Sequence, residues 1–179
     1  MTIKELITLI EQWARDRQLD KKATVIGQIQ KTAEEGAELL IGISKDNQEL
    51  IKDSIGDVFV TIVIGNMIGR NYDILSVYNE TKATADKLSD KDNKAYYMSH
   101  ITGNMWDLFL LNNYSVGFLH EIMRTLEMTA RYYGFTLEEC VAAAYKEIAD
   151  RKGRVIDGTF VKEDDLIWIG NKSVNMNAN

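Results

Sequence analysis

The sequence predicts an all-α chain: a four-helix-bundle-like core with extra helices and a small C-terminal β-hairpin. Three observations carry that expectation. None of the 179 residues is proline, so the strongest helix breaker is missing. Apolar residues recur at three- and four-residue spacing in one segment after another, which is the period of a helix face. Capping residues stand where those segments begin, and an Asp-Gly turn signal follows the last of them.

The first helix opens on a capping box of Thr2 and Glu5. Its Ile3, Leu6, Ile7, Ile10, Trp13 and Ala14 share a face before the polar Arg15-Asp16-Arg17. A second helix is expected over residues 21–43, with Ile26, Ile29, Ala33, Ala37 and Leu40 on one side. At about 100° per residue, Gln28, Lys31, Glu35 and Glu38 fall within about 80° of each other on the opposite side.

A third segment, 47–70, holds the run Val58-Phe59-Val60-Thr61-Ile62-Val63-Ile64, whose β-branched residues also suit a buried strand. Length decides for helix. Such a helix is apolar all round after Asp57, so its own bundle or a second subunit must cover every side, and it is expected to pack across a homodimer or homotetramer interface. Asp57 then sits at the entrance to an enclosed helix, which is costly unless a cation compensates it.

Helices are next expected over 74–88, 95–111 and 118–133, with polar breaks near 89–92 and 112–113. The last helix is capped by Thr136 with Glu139, and Leu137, Cys140, Val141, Ala144 and Ile148 mark its inner face. It is expected to end at Gly153, after the basic Arg151-Lys152. On that helical count Arg151 lines up with Leu137, Ala144 and Ile148, so it points inward and calls for an anion. The segment 155–161 carries Asp157-Gly158 as a hairpin turn, and 171–179 is expected to fray. With no repeat and no linker, residues 1–170 read as one domain.

Composition narrows the partners. Hydrophobic residues at 45% and charged residues at 27% belong to an ordinary packed protein, not to a disordered one. The net charge of −6 offers no basic footprint, so polymeric nucleic acid is not an expected partner. No apolar run approaches the roughly 18 residues of a membrane span. The single cysteine, Cys140, cannot form an intrachain disulfide, and residues 1–5 lack the apolar stretch of a secretory signal. A cytoplasmic protein is expected.

Two acidic clusters carry the chemistry: Glu34-Glu35-Gly36-Ala37-Glu38 and Asp53-Ser54-Ile55-Gly56-Asp57. Residues three or four apart share a helix face, so two adjacent helices could converge four carboxylates on one hard divalent cation such as Mg²⁺. A plainer reading stands beside this one. The Gln28, Lys31, Glu35, Glu38 stripe also fits a solvated face, and Arg151 with Lys152 also fits dipole partners at a helix end. Trp13 suits a core position as well as it suits stacking on a base.

Three ordered motifs resemble the MazG-like nucleotide pyrophosphohydrolases, most of all the small variety met in bacteriophages. They are Gln28-x-x-Lys31-x-x-Glu34-Glu35-x-x-Glu38, then Asp53-Ser54-Ile55-Gly56-Asp57-Val58, then a segment running from Ala144 to Lys162. The last reads Ala144-Tyr145-Lys146-Glu147-Ile148-x-x-Arg151-Lys152-Gly153-Arg154-x-Ile156-x-Gly158-x-Phe160-x-Lys162. The resemblance covers residues 1–70 and 136–165.

It implies an all-α nucleoside triphosphate pyrophosphatase, a Mg²⁺-dependent homodimer or homotetramer with Mn²⁺ able to substitute, releasing monophosphate and pyrophosphate. By resemblance Glu35, Glu38, Asp53 and Asp57 are metal ligands, and Glu34 or one of these acids accepts a proton from the attacking water. Lys31, Lys146, Arg151 and Lys152 are phosphate contacts, and Gln28 and Trp13 reach the base.

Two positions depart from the family pattern. Ser54 stands where the second motif has an acid, with Asp53 as its substitute, and Lys146 stands where asparagine is expected. Both departures support an alternative: a catalytically silent helical oligomer that binds nucleotide or a protein partner through a regulatory metal site.

Overall fold

The computed structural model describes residues 1–89 and 93–163. Among these, eight helices and one hairpin follow in order: α1 (Ile3–Asp16), α2 (Leu19–Lys22), α3 (Val25–Ser44), α4 (Gln48–Gly69), α5 (Ile74–Ala85), α6 (Lys94–Leu111), α7 (Val116–Tyr132), α8 (Leu137–Ile148), β1 (Gly153–Ile156) and β2 (Thr159–Lys162). The all-α class with its C-terminal hairpin is therefore observed. The expected frayed tail over 171–179 lies outside the described residues.

Most helices begin where a side chain can take an unpaired N–H. Thr2 and Thr136 form full capping boxes with Glu5 and Glu139, while Thr24, Asn47, Asp73 and Ser115 each accept from the third residue on. The β-branched run inside α4 is helical, as its length requires.

The single helix expected over 21–43 is instead two, α2 and α3, because Ala23 and Thr24 are extended. Thr24 there uses its hydroxyl to cap Gly27 N–H and its own N–H to reach the carbonyl of Gly158 at 2.9 Å. The break is the place where the hairpin docks.

α8 also stops earlier than expected, at Ile148, and Gly153 opens β1 instead of capping the helix. Arg17 occupies the helix end. Its guanidinium donates to the carbonyls of Ala149 and Arg151, and the Arg151 bonds are 2.9 and 2.6 Å. The turn Asp157-Gly158, with φ of 49° and 81°, pairs Ile156 with Thr159 and Val155 with Phe160. Two consecutive left-handed residues match the twist of a two-residue hairpin loop.

α4 is the central rod, packed most closely on α3 and α8 and touched by α1, α2 and α7. Every residue from Val58 to Asn66 is buried within this one chain, so its own bundle supplies the cover and no second subunit is needed for α4. The added helices form a flank in which α5 and α6 pack on α7 and α6 packs on α3.

α3 is rotated from the expected orientation. Its inward face is Gln28, Ile29, Thr32, Gly36, Leu39 and Ile43, whereas Ile26 is 48% exposed and Ala37 is also exposed. The small Gly36 on that inward face leaves room for the Met105 side chain of α6.

The end of α6 and the start of α7 leave Trp106, Phe109, Leu110, Leu111 and Val116 exposed. Among the described residues no helix is long and apolar enough to cross a membrane.

Candidate functional site

A cavity of about 170 Å³ opens where α1, α2, α3, α4, the end of α8 and the hairpin meet. α3 supplies Gln28, Lys31, Glu34 and Glu35 to its lining, and α4 supplies Asp57, Val60, Thr61 and Ile64. Gln28 Nε2 donates to the Thr61 carbonyl at 3.1 Å, while Glu35 acts electrostatically on Asp57. The two helices therefore run past each other in opposite directions. One end of the lining is Gln28 with Thr61, and the other is Glu35 with Asp57, about two turns along α3 and one turn along α4. Trp13, Leu19, Ile148 and Phe160 add apolar wall, and Arg151 and Lys162 add positive charge.

The acids at the charged end are crowded. Asp57 is pushed up to about 7, first by burial, then by the charges of Glu35, Asp53 and Glu147, against which Arg151 works. Burial likewise raises Asp53, with Glu147 and Glu38 adding to it, and raises Glu35 despite its neighbour Lys31. Lys31 Nζ lies 2.6 Å from Glu34 Oε2 and 3.5 Å from Glu35 Oε1. Burial alone would lower the Lys31 ammonium; the two glutamates outweigh it and hold it above its ordinary value.

Of the residues singled out in the sequence, Gln28, Lys31, Glu34, Glu35, Asp57, Arg151 and Trp13 line this one cavity. Glu38 is exposed and stands outside the lining, though its charge reaches Glu35 and Asp53. Asp53 lines an adjoining cleft with Glu49, Lys52 and Glu147. Lys152 is exposed beside a shallow cleft that also touches Arg151 and Lys162, and Lys146 is exposed on α8 and lines neither the cavity nor that cleft. Ser54 is fully buried with its hydroxyl unpartnered, so that position does not present a side chain to the cavity.

Among the described residues, no three carboxylates converge closely enough to hold one metal ion. The acids nearest one another, Glu35 and Asp57, offer carboxylate oxygens, the donors a hard cation takes. Arg151 is not on the helix where its inward direction was expected. It follows α8, and it lines the cavity while paired with Glu147.

Trp13 is 7% exposed, and its indole N–H is committed to the Ile148 carbonyl at 2.7 Å, with Phe160 edge-on at 5.4 Å. Its ring serves as wall.

Sequence reasoning passed over Glu147, Thr61, Phe160, Lys162 and Arg17 as site residues. Phe160 and Lys162 had a signal in the period-two alternation of a strand, which puts both on one face. Glu147 stood four residues before Arg151, one turn of helix away.

No family model matches the chain, and no solved structure matches it. A protein of Haemophilus phage HP1 (strain HP1c1), described as an uncharacterized 18.2 kDa protein in the rep-hol intergenic region, is 48% identical over 62 residues. That match covers 35% of this chain and 38% of the phage protein, so the chain spans well under half of that relative.

Proposed function

We propose that this chain is a Mg²⁺-dependent nucleoside triphosphate pyrophosphohydrolase that releases monophosphate and pyrophosphate from a dNTP or a non-standard nucleotide. One observation carries the reading: Lys31, Glu35, Asp57 and Arg151, drawn from three separate sequence motifs, line a single cavity. Cations there suit a triphosphate, and half-buried acids beside them suit a divalent ion. Glu35 and Asp57 would hold the metal, with Glu38 and Asp53 completing its surroundings. When bound, the ion neutralises phosphate oxygens at the scissile anhydride.

The chain's own groups have separable tasks. Lys31, Arg151 and Lys162 bind and orient the phosphates. Glu34, exposed and held in place by Lys31, would accept the proton of the attacking water. Trp13, Leu19 and Phe160 keep bulk water from the inner end of the cavity.

The test is incubation with Mg²⁺ and a panel of dNTPs, reading pyrophosphate and monophosphate. Glu35→Gln and Asp57→Asn are expected to lower turnover by at least about a hundredfold while helical circular dichroism is kept. Release of orthophosphate and diphosphate would place the cut at a different bond.

A second reading, nucleotide binding without turnover, is favoured by the absence of a converged carboxylate trio among the described residues. It requires calorimetric binding of nucleotide with no product. Under either reading we place the protein in the cytoplasm, where the buried Cys140 stays a thiol. A homodimer or homotetramer would use the exposed Trp106, Phe109 and Leu110 rather than α4. Trp106→Glu is then expected to reduce the sedimenting mass.

A further inference from the structure

A second cleft runs between α6 and α7, lined by Ser99, His100, Gly103, Asn104, Asp107 and Glu121, and it shares no residue with the cavity above. Asn104 is 6% exposed. One of its amide hydrogens goes to the His100 carbonyl at 2.8 Å and the other to Thr125 Oγ1 at 3.1 Å. Thr125 spends its own hydrogen on the Glu121 carbonyl, so it can only accept from Asn104, and the amide is fixed in orientation. Asn104 Oδ1 is left without a partner among the described residues. It is not sealed in the core, so it opens into the cleft that Asn104 lines.

The groups around that oxygen are acceptors as well. Asp107, one turn further along α6, has no ion-pair partner among the described residues. The short connection makes α6 and α7 antiparallel neighbours, and the Asn104–Thr125 bond sets their register, which brings Glu121 to the Asp107 end of the cleft. Glu121 is paired with Arg124 on its own helix, so two carboxylates and one guanidinium leave a negative charge unbalanced there. At the other end, Ser99 gives its hydrogen to the Tyr96 carbonyl at 2.8 Å and can only accept from a ligand. Ser99 and Asp107 are eight residues apart, about 12 Å along the helix.

Gly103 lies between the two ends. It stands inside an 18-residue helix, where glycine is less stable than alanine, yet a Cβ placed there would meet nothing within 4 Å. No packing contact within the chain requires the glycine. What it supplies is an open floor between the acceptors, with bare backbone carbon against which a methylene chain can lie.

We propose that this cleft binds a linear polyamine, ammonium groups joined by methylene chains, with one ammonium on Asn104 Oδ1 and the Asp107 carboxylate and another at Ser99 Oγ. A hard dication wants six or more oxygens, and no three acidic or histidine side chains converge among the described residues. A lysine side chain from a partner brings a single ammonium and serves one end only. The inference stands apart from the nucleotide reading.

The test is calorimetric titration of spermidine into the full chain, with Mg²⁺ in excess to keep the polyamine off the acids of α3 and α4. One saturable site is expected. Gly103→Leu sends its side chain into open space and gains helix propensity, so it is expected to keep or raise the melting temperature while weakening spermidine binding at least about tenfold. Asp107→Asn, a surface change, is expected to weaken binding about three- to tenfold.

Absence of saturable binding to the wild-type protein overturns the proposal. So does binding that both variants retain, which would be general attraction to a chain of net charge −6. Nα-acetyl-lysine methylamide binding as tightly as spermidine overturns the two-ended ligand, and displacement of spermidine by an equal concentration of Ca²⁺ overturns the ammonium in favour of a metal. None of these readouts depends on pyrophosphate release, so the hydrolase reading stands or falls separately.

Discussion

The indole N–H of Trp13 donates to the carbonyl of Ile148 at 2.7 Å, and this bond ties the first helix to the last one across 135 positions of chain. One turn further along, Arg17 lies over the same indole, 4.4 Å from the ring centroid, and clamps the next carbonyls in line. Together they satisfy the end of α8 in place of a glycine cap and set the turn that delivers Arg151 and the hairpin to the cavity.

Replacing Arg17 by Met therefore removes charged donors from the carbonyls of Trp13, Ala149 and Arg151 without emptying the space beside the Trp13 ring. A loss of about 1.5–3 kcal/mol in urea unfolding is expected from the charged hydrogen bonds. If Arg17 positions Arg151, the variant also weakens triphosphate binding. Arg17→Lys, which cannot reach two carbonyls as a fork, is expected to rescue stability only in part. Full rescue of both by lysine would mean that charge alone matters at this position.

Stability should depend on pH in the direction set by Asp57. Its carboxyl has an ordinary value of 3.8 and is raised to about 7 in the fold, so between those limits the folded state holds a proton that the unfolded chain has released. The Asp57 contribution is then greatest near and below pH 4, falls as pH rises toward 7, and stays at its lower level above that, while the lowered Glu5, Asp73 and Glu139 act in the opposite direction at acid pH. Asp53 and Glu35 act in the same direction as Asp57. The change amounts to a few kcal/mol at most. Asp57→Asn should flatten the slope and raise the melting temperature at pH 8. Mg²⁺ should raise the wild-type melting temperature more at pH 8 than at pH 5.5, because only the ionised acids bind it.

Gly56 sets how closely α8 approaches α4. A methyl group placed there would collide with the Cys140 carbonyl and lie 2.7 Å from the Ala144 side chain. Gly56→Ala gains helix propensity but must push two helices apart, at a cost of about 1–3 kcal/mol. Chemical unfolding reads the loss. Since α8 carries Glu147 and leads to Arg151, turnover or nucleotide affinity is expected to fall with it.

Much of the fold was legible in the sequence because caps and apolar spacing are local. Thr2 with Glu5, Asn47, Thr136 with Glu139 and Asp157-Gly158 each act over a few residues, and each marks a real boundary. What failed depended on partners far along the chain. Thr24 breaks the second helix because Gly158 is there to receive its N–H, and α8 ends early because Arg17 supplies the cap. The facing of α3 was misjudged for the same kind of reason: Gly36 and Thr32 turn inward to meet Met105 and Tyr114, contacts that no heptad count reveals. Within the candidate site, the motif residues on α3 and α4 came together because two long antiparallel helices keep their register. Phe160 and Lys162 reach the cavity only through the docked hairpin, and Glu147 gained its importance from tertiary proximity to Asp53 and Asp57.

Glu147 provides the final expectation. It pairs with Arg151, raises both Asp53 and Asp57, and is itself about half exposed, so it competes with any incoming phosphate for the same guanidinium. An ion pair with that much solvent contact is worth about 0–1 kcal/mol. Glu147→Gln should therefore free Arg151 at little structural cost and tighten binding of a non-hydrolysable triphosphate by about two- to fivefold at low salt, a gain that shrinks as salt screens the cation. The same change relieves the crowding around Asp57, so the pH midpoint of the stability profile should move down. If Glu147 instead belongs to the cation's own surroundings, the variant loses Mg²⁺ affinity and triphosphate affinity together. Titrating Mn²⁺ by electron paramagnetic resonance in wild-type and Glu147→Gln protein, with and without nucleotide, separates the competitor from the ligand.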